Sequence, residues 1–341
     1  MLVLGIETSC DETACALIRD GRVLSSIIAS QIDVHREFGG IVPELASRHH
    51  VHAVTPTVTR ALEQAGPLRL EDVDAVAVTE APGLVGALLI GAQFARGLAW
   101  AIDRPLVGIH HLEGHICSAL LDDNDEYGPT VPAHLALLVS GGHTELVEVR
   151  DLGDYRPIGR TRDDAVGEAY DKVAKMLGLS YPGGPVIDAL AREGNPRRHA
   201  FPRSMLNQDN YAFSFAGLKT AVLVHLERNG APRSRAELAD ICASFQQAAV
   251  EVLVEKTRRA RAAYGFERVH VVGGVAANHG LREAMTAAAE TDGFVYSSPP
   301  MRYCGDNAAM IAIAAAIRLH RWRDPPPLRV TSTRPLVAGL V

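Results

Sequence analysis

The chain lacks the material for a disulfide framework. Its five cysteines, Cys10, Cys15, Cys117, Cys242 and Cys304, are scattered over 341 residues, odd in number and without a C-x-x-C pair. This excludes a stapled secreted scaffold and indicates reduced thiols in a reducing compartment. A long apolar run is missing too. The most apolar stretch, 81–102, is interrupted by Gln93 and Arg96 and carries several glycines, so it reads as a buried helix and not as a membrane span. The chain opens directly into an apolar strand, with no basic leader or cleavage site, and a cytoplasmic location is expected. Positive charge is also short, the formal net charge being -6. Phosphate neutralisation supplies most nucleic-acid affinity, so an RNA substrate would require basic residues gathered on one face or supplied by a partner.

What is present is the material for a large core. At 341 residues and 47% hydrophobic content, two domains or two lobes of a duplicated fold are expected. Strands are predicted at 2–7, 14–18 and 23–29, a helix at 43–64 that Pro56 should kink or split, a strand at 74–79, a helix at 84–101 and a strand at 105–109. The second half repeats the alternation. Strands are predicted at 135–140, 144–149 and 269–272, helices at 167–177, 185–192, 215–227, 235–264 and 277–289, and a long apolar helix within 304–320. Two echoes support duplication: 5–13 and 139–145 both read strand, small-residue turn, strand, while 74–97 and 268–289 both read strand, small-residue turn, helix. The expected division is an N-terminal lobe of 1–110 plus about 321–341, and a C-terminal lobe of 111–320 with most of the nucleotide and metal site.

Three constellations could carry chemistry. Small residues at a strand end let backbone N–H groups approach an anion closely. Ser140-Gly141-Gly142-His143 and Gly273-Gly274-Val275-Ala276-Ala277-Asn278 both fit, and a nucleotide or adenylate is the expected ligand, although glycine at a strand end often only makes a turn. The second constellation is His110-His111-Leu112-Glu113-Gly114-His115. On a helix His111 and His115 share a face one turn apart, the spacing of two imidazoles on one metal ion, and Asp306 is the candidate third ligand. At ~100° per residue Glu113 lies about 200° from His111, which disfavours a zinc peptidase with its glutamate as base. Third, Asp163, Asp164, Glu168 and Asp171 precede Tyr181-Pro182-Gly183-Gly184-Pro185 and Asp188. Acidic residues at a helix start often only complement its dipole, but Asp171 and Asp188 would also suit ribose hydroxyls.

These residues resemble one family, the tRNA N6-adenosine threonylcarbamoyltransferases, in what looks like the bacterial form without a fused kinase domain. The matching runs are Gly5-Ile6-Glu7-Thr8-Ser9-Cys10-Asp11-Glu12-Thr13, Gly39-Gly40-Ile41-Val42-Pro43-Glu44-Leu45-Ala46-Ser47-Arg48 and Pro82-Gly83-Leu84-Val85-Gly86-Ala87-Leu88, with 111–115, 138–143, 181–185, 213–220 and 273–278. The resemblance implies an α/β fold of the actin-like ATPase type, two duplicated lobes around a central nucleotide cleft. It implies transfer of a threonylcarbamoyl group from L-threonylcarbamoyl adenylate to the adenosine just after the anticodon, in tRNAs reading codons that begin with A. His111, His115 and Asp306 would be ligands to one divalent ion, iron or zinc. Leu138, Val139, Ser140, Gly141, Gly142, Asp171, Gly184, Asp188 and Asn278 would hold ATP, ADP or the adenylate. Asp11 or Glu12 would accept the proton. The implied partners are an inert relative of the same fold and a small ATPase. Ala216, His279, Gly305 and Ala308 depart from the family's pattern. A kinase or ATPase of the same fold, a carbamoyltransferase acting on a small molecule and a non-catalytic scaffold are the alternatives, and the histidine pair speaks against the first and last.

Overall fold

A meander of three strands opens the chain: β1 (Leu2–Glu7), β2 (Glu12–Arg19) and β3 (Arg22–Ser30). All six residues of β1 are buried, the pattern of a central strand covered on both faces. Next come α1 (Ile32–Arg36), α2 (Pro43–Ala65), β4 (Ala75–Ala81), α3 (Val85–Ala101), β5 (Leu106–His110) and α4 (His111–Ser118). The computed structural model describes residues 1–321 and 325–337. The chain continues through β6 (His134–Val139), β7 (Thr144–Asp151), β8 (Asp154–Arg160), α5 (Val166–Met176), α6 (Gly183–Ala191), α7 (Ala216–Asn229) and α8 (Arg235–Tyr264). It then forms β9 (Arg268–Val272), α9 (His279–Asp292), β10 (Val295–Ser297) and α10 (Ala308–Arg321).

The two sheets have one topology. The first runs β3-β2-β1-β4-β5 and the second β10-β9-β6-β7-β8. Counted from its own first strand, and with the second sheet read from its β8 edge, each reads third, second, first, fourth, fifth. In both, the first strand pairs antiparallel with the second and parallel with the fourth. This repeat of order and direction is the duplication that the sequence echoes indicated, and it makes the molecule an α/β protein of two mixed sheets.

By its internal contacts the chain divides into two units, one of Met1–Pro132, Arg150–Arg156 and Pro299–Val341, the other of Ala133–Val149 and Pro157–Ser298. The boundaries expected at 110/111 and 320/321 fall inside the first unit. The reason is local: α4 leaves β5 without a linker and packs against α10, and α10 packs on β1. Of the expected 321–341 segment, 322–324 and 338–341 lie outside the described residues.

One helix differs from expectation. Pro56 does not split α2, which runs unbroken over 23 residues. Both Pro56 and His52, one turn earlier, are exposed, so the carbonyl deprived of its donor lies on the solvent side. The last helix begins at Ala308 and is buried from there to Arg318. It lies on β1 at backbone contact distance, because a Cβ on Gly5 would stand 2.5 Å from the Ala308 carbonyl oxygen and 2.9 Å from the Ala312 Cβ. Glycine at position 5 is thus what lets α10 approach the sheet. The short α1, β8 and β10 were not predicted.

Candidate functional site

β5 ends on His110, and the chain turns directly into α4. The His110 ring caps that helix, with Leu112 N–H donating to its Nδ1 at 3.3 Å. His111 and His115 then share a face, their rings edge to face with centroids 4.7 Å apart. Asp306, just before α10, places Oδ1 3.1 Å from His115 Nε2 and 3.5 Å from His111 Nε2. The donor atoms of the three residues all lie within 4.8 Å of one another. One carboxylate oxygen facing two imidazole nitrogens fits a shared divalent cation, and two histidines with one carboxylate suit iron(II) or zinc.

The surroundings favour positive charge. Glu7, fully buried at the end of β1, sets Oε2 3.1 Å from His111 Nδ1. Thr79 on the neighbouring parallel strand donates to the same oxygen at 2.5 Å, and Ser9 N–H donates to Oε1. Burial works to raise the Glu7 carboxyl, but the His111 imidazole and Thr79 hydroxyl hold it below the usual carboxylate range. Burial likewise opposes a charged His111, and the Asp306 and Glu7 carboxylates outweigh it, pushing the imidazole up to about 9. A carboxylate on the far nitrogen of a ligating histidine fixes its tautomer and ring direction. Sequence reasoning did not single out Glu7 for this; the available signal was an acidic residue closing an otherwise apolar strand.

Asp11 is buried and Glu12 half-buried where β2 begins. Ser30 Oγ donates to Glu12 Oε1 at 3.1 Å. Burial, with Asp11 and Asp306 adding negative charge, pushes the Glu12 carboxyl up to about 9. Glu113 is turned elsewhere: its Oε1 lies 2.7 Å from Nε of the buried Arg318.

In the second unit the turns 140–143 and 273–278 follow the carboxyl ends of β6 and β9, parallel neighbours, where ligands of open α/β sheets bind. Leu138 and Val139 are buried in β6. In the following turn Ser140 Oγ accepts from Gly142 N–H at 3.3 Å and His143 N–H at 3.1 Å. A side chain at Gly141 or Gly142 would project into open space, so this backbone is accessible. Gly273, which ends β9, has φ +96 and would bring a Cβ within 2.4 Å of the Val139 carbonyl oxygen; only glycine allows the two strand ends to sit so close. A short 3-10 turn, Gly274–Ala277, leads to Asn278, whose Oδ1 caps α9 by accepting from Leu281 N–H at 2.9 Å.

The acidic residues divide by role. Asp163 caps α7, accepting from Phe215 N–H at 2.8 Å, and Asp164 is held by Lys172 and Lys219. Asp171 Oδ1 accepts from Gly183 N–H at 2.7 Å, at the start of α6 beside the half-buried Gly184. Asp188 is buried; its Oδ2 lies 2.9 Å from His279 Nδ1 and accepts from His279 N–H at 3.2 Å. Burial tends to raise the Asp188 carboxyl, and its bonds to His279 and Gln246 lower it overall. Gln246, which sequence reasoning passed over inside a long helix, bridges Asp188 and Asn278.

The comparisons with known proteins bear on this arrangement. Residues 22–313 match the family model described as tRNA N6-adenosine threonylcarbamoyltransferase. A relative of that name in Anaeromyxobacter dehalogenans is 55% identical over 327 residues, 95% of this chain and 96% of the relative. One in Trichlorobacter lovleyi is 51% identical over 338 residues, 98% and 97% of the two chains. Among solved structures, HypF of T. kodakarensis superposes with a TM-score of 0.62 at 14% identity, over 94% of this chain and 48% of that one, a likeness of fold alone. On the family match and these identities, the chain belongs to the tRNA N6-adenosine threonylcarbamoyltransferase family.

Proposed function

We propose that the chain takes its threonylcarbamoyl group from L-threonylcarbamoyl adenylate and delivers it to N6 of the adenosine 3'-adjacent to the anticodon, in tRNAs reading codons that begin with A. The observation that carries the reading is the convergence of His111, His115 and Asp306, with Glu7 behind His111. An ion held there, iron(II) before zinc, supplies Lewis acidity toward an oxygen of the acyl donor.

The chain's own residues do the rest. The glycine turn of Ser140 to Gly142 holds the phosphate against its exposed backbone, with Leu138 and Val139 forming the strand beneath it. Asp171 and Asp188 receive ribose hydroxyls, and Gly184 and Asn278 complete the site for the adenylate, or for ATP or ADP. The N6 amine attacks the carbamoyl carbon; the new C–N bond replaces the C–O bond to phosphate, AMP leaves with that electron pair, and N6 gives up a proton. Asp11 or Glu12, neighbours where β2 begins, accepts it.

The partners we propose, an inert relative of the same fold and a small ATPase, agree with the acidic net charge of -6, since basic surface for tRNA must then come partly from the assembly. α2 and α3 expose Val51, Val85, Leu89 and Trp100, apolar surface that a helical partner would cover. No helix among the described residues is long and apolar enough to cross a membrane, and we place the enzyme in the cytoplasm. A kinase or a small-molecule carbamoyltransferase is not favoured, given the family.

Mass spectrometry of tRNA nucleosides from cells depleted of the chain tests the reading. Wild-type chain should restore threonylcarbamoyladenosine and His111→Ala should not. Unchanged modified nucleoside on depletion would sink the assignment.

A further inference from the structure

Asp188 and Asn278 sit on different elements, α6 and the start of α9, and one side chain ties them together. Gln246 on α8 is 7% exposed. Its Nε2 donates to Asp188 Oδ1 at 3.0 Å, and its Oε1 accepts from Asn278 Nδ2 at 2.7 Å and from the Tyr170 hydroxyl at 3.2 Å. A carboxylate only accepts, and the two groups at the other end donate, so a single orientation of the amide satisfies all three. Asn278 is locked in turn, because its Oδ1 already caps α9 and a flip would break both bonds. Gly280 completes the seat: a Cβ there would stand 2.7 Å from Gln246 Nε2. The same amide lines a cavity of about 180 Å³ with Arg192, His279 and Gly280.

We infer that Gln246 is a positioning residue for nucleotide binding, holding Asp188 and Asn278 in one fixed arrangement before the ligand arrives. Side chains ordered in advance do not have to be ordered on binding, and the affinity gained is the entropy not lost at that step. A buried network with every member satisfied also has one geometry, whereas a half-satisfied one has several. The inference rests on the proposed function, which takes Asp188 and Asn278 as adenylate-holding residues.

The test uses the full chain, AMP as the calorimetric probe, and donor titration in the transfer reaction. Gln246→Leu keeps most of the bulk and removes both polar ends. The Kd for AMP and the KM for the donor should rise about tenfold, the size expected for losing one bond to a charged group. At saturating donor kcat should stay within about twofold, a split that loss of folded enzyme would not produce. Metal content should be unchanged, since His111, His115 and Asp306 belong to the other unit. Unchanged Kd and KM would overturn the positioning role and leave the function standing. Wild-type chain that does not bind AMP, or Asp188→Ala binding it as tightly as wild type, would overturn the reading of the site itself. Should Gln246→Leu not fold, Gln246→Glu serves: its carboxylate repels Asp188 when ionised and donates to it when protonated. Its AMP affinity relative to wild type must then fall as pH rises from about 6 to 9, and a flat ratio would overturn the inference.

Discussion

His115 Nε2 and Asp306 Oδ1 stand 3.1 Å apart although 191 positions separate them in the chain. Their meeting is a consequence of packing. Gly5 lets α10 rest on β1, α4 emerges from β5 in the same sheet, and the two helices pack together. The candidate metal centre is therefore only as well placed as the contact between α10 and the sheet.

That dependence can be measured at Gly5. Gly5→Ala forces a methyl group against the Ala308 carbonyl and Ala312. Overpacking of this kind costs about 1–3 kcal/mol, and chemical denaturation should show a loss in that range. A loss below about 0.5 kcal/mol, ordinary for a surface change, would mean that α10 is not seated on the strand.

Glu7 gives the second expectation. Glu7→Gln keeps the shape and removes the charge behind His111. Replacing such an outer partner lowers metal affinity by about 10–100-fold. Competition with a chelator of known affinity reads this directly, and equal affinity in the two proteins would reduce Glu7 to packing.

The buried Glu12 carboxyl predicts a pH dependence of stability in protein stripped of metal. Its pKa is about 9 in the folded chain against an ordinary 4.5, so between these values the folded state holds the extra proton. The stabilisation is complete below the lower value and is lost as pH rises through the upper one. Thermal unfolding from pH 5 to about 9 should therefore lose stability more steeply in wild type than in Glu12→Gln. Parallel curves would show that Glu12 is not held protonated.

Asn278 has two jobs that substitution can separate. Asn278→Ala removes the α9 cap, worth about 1 kcal/mol. Asn278→Ser restores a capping oxygen but no amide for Gln246, so it should recover stability and not AMP affinity. Recovery of both would place the nucleotide effect in the cap alone.

Much of this was legible in the sequence because the signals were local. The His111/His115 spacing, the glycine turns after β6 and β9 and the order of strands and helices are patterns within a few residues of one another. β8 escaped because Pro157 and Gly159 interrupt a strand with a single fully buried residue, and β10 is only three residues long. The division by internal contacts differs from the expected lobe boundary because nothing in a sequence says that α4 and α10 pack together. Glu7 and Gln246 were missed for a related reason: each acts on a residue about 60 to 100 positions away in the chain, and an acid at a strand end or an amide inside a helix carries no mark of its partner.

The most direct measurement is the metal content of purified wild-type chain beside Asp306→Ala, by elemental analysis after dialysis. The account predicts about one divalent ion per wild-type chain and little or none in the variant, since two imidazoles on one helix hold an ion poorly without the third ligand. Equal metal in both proteins, with transfer to tRNA intact in the variant, would contradict it.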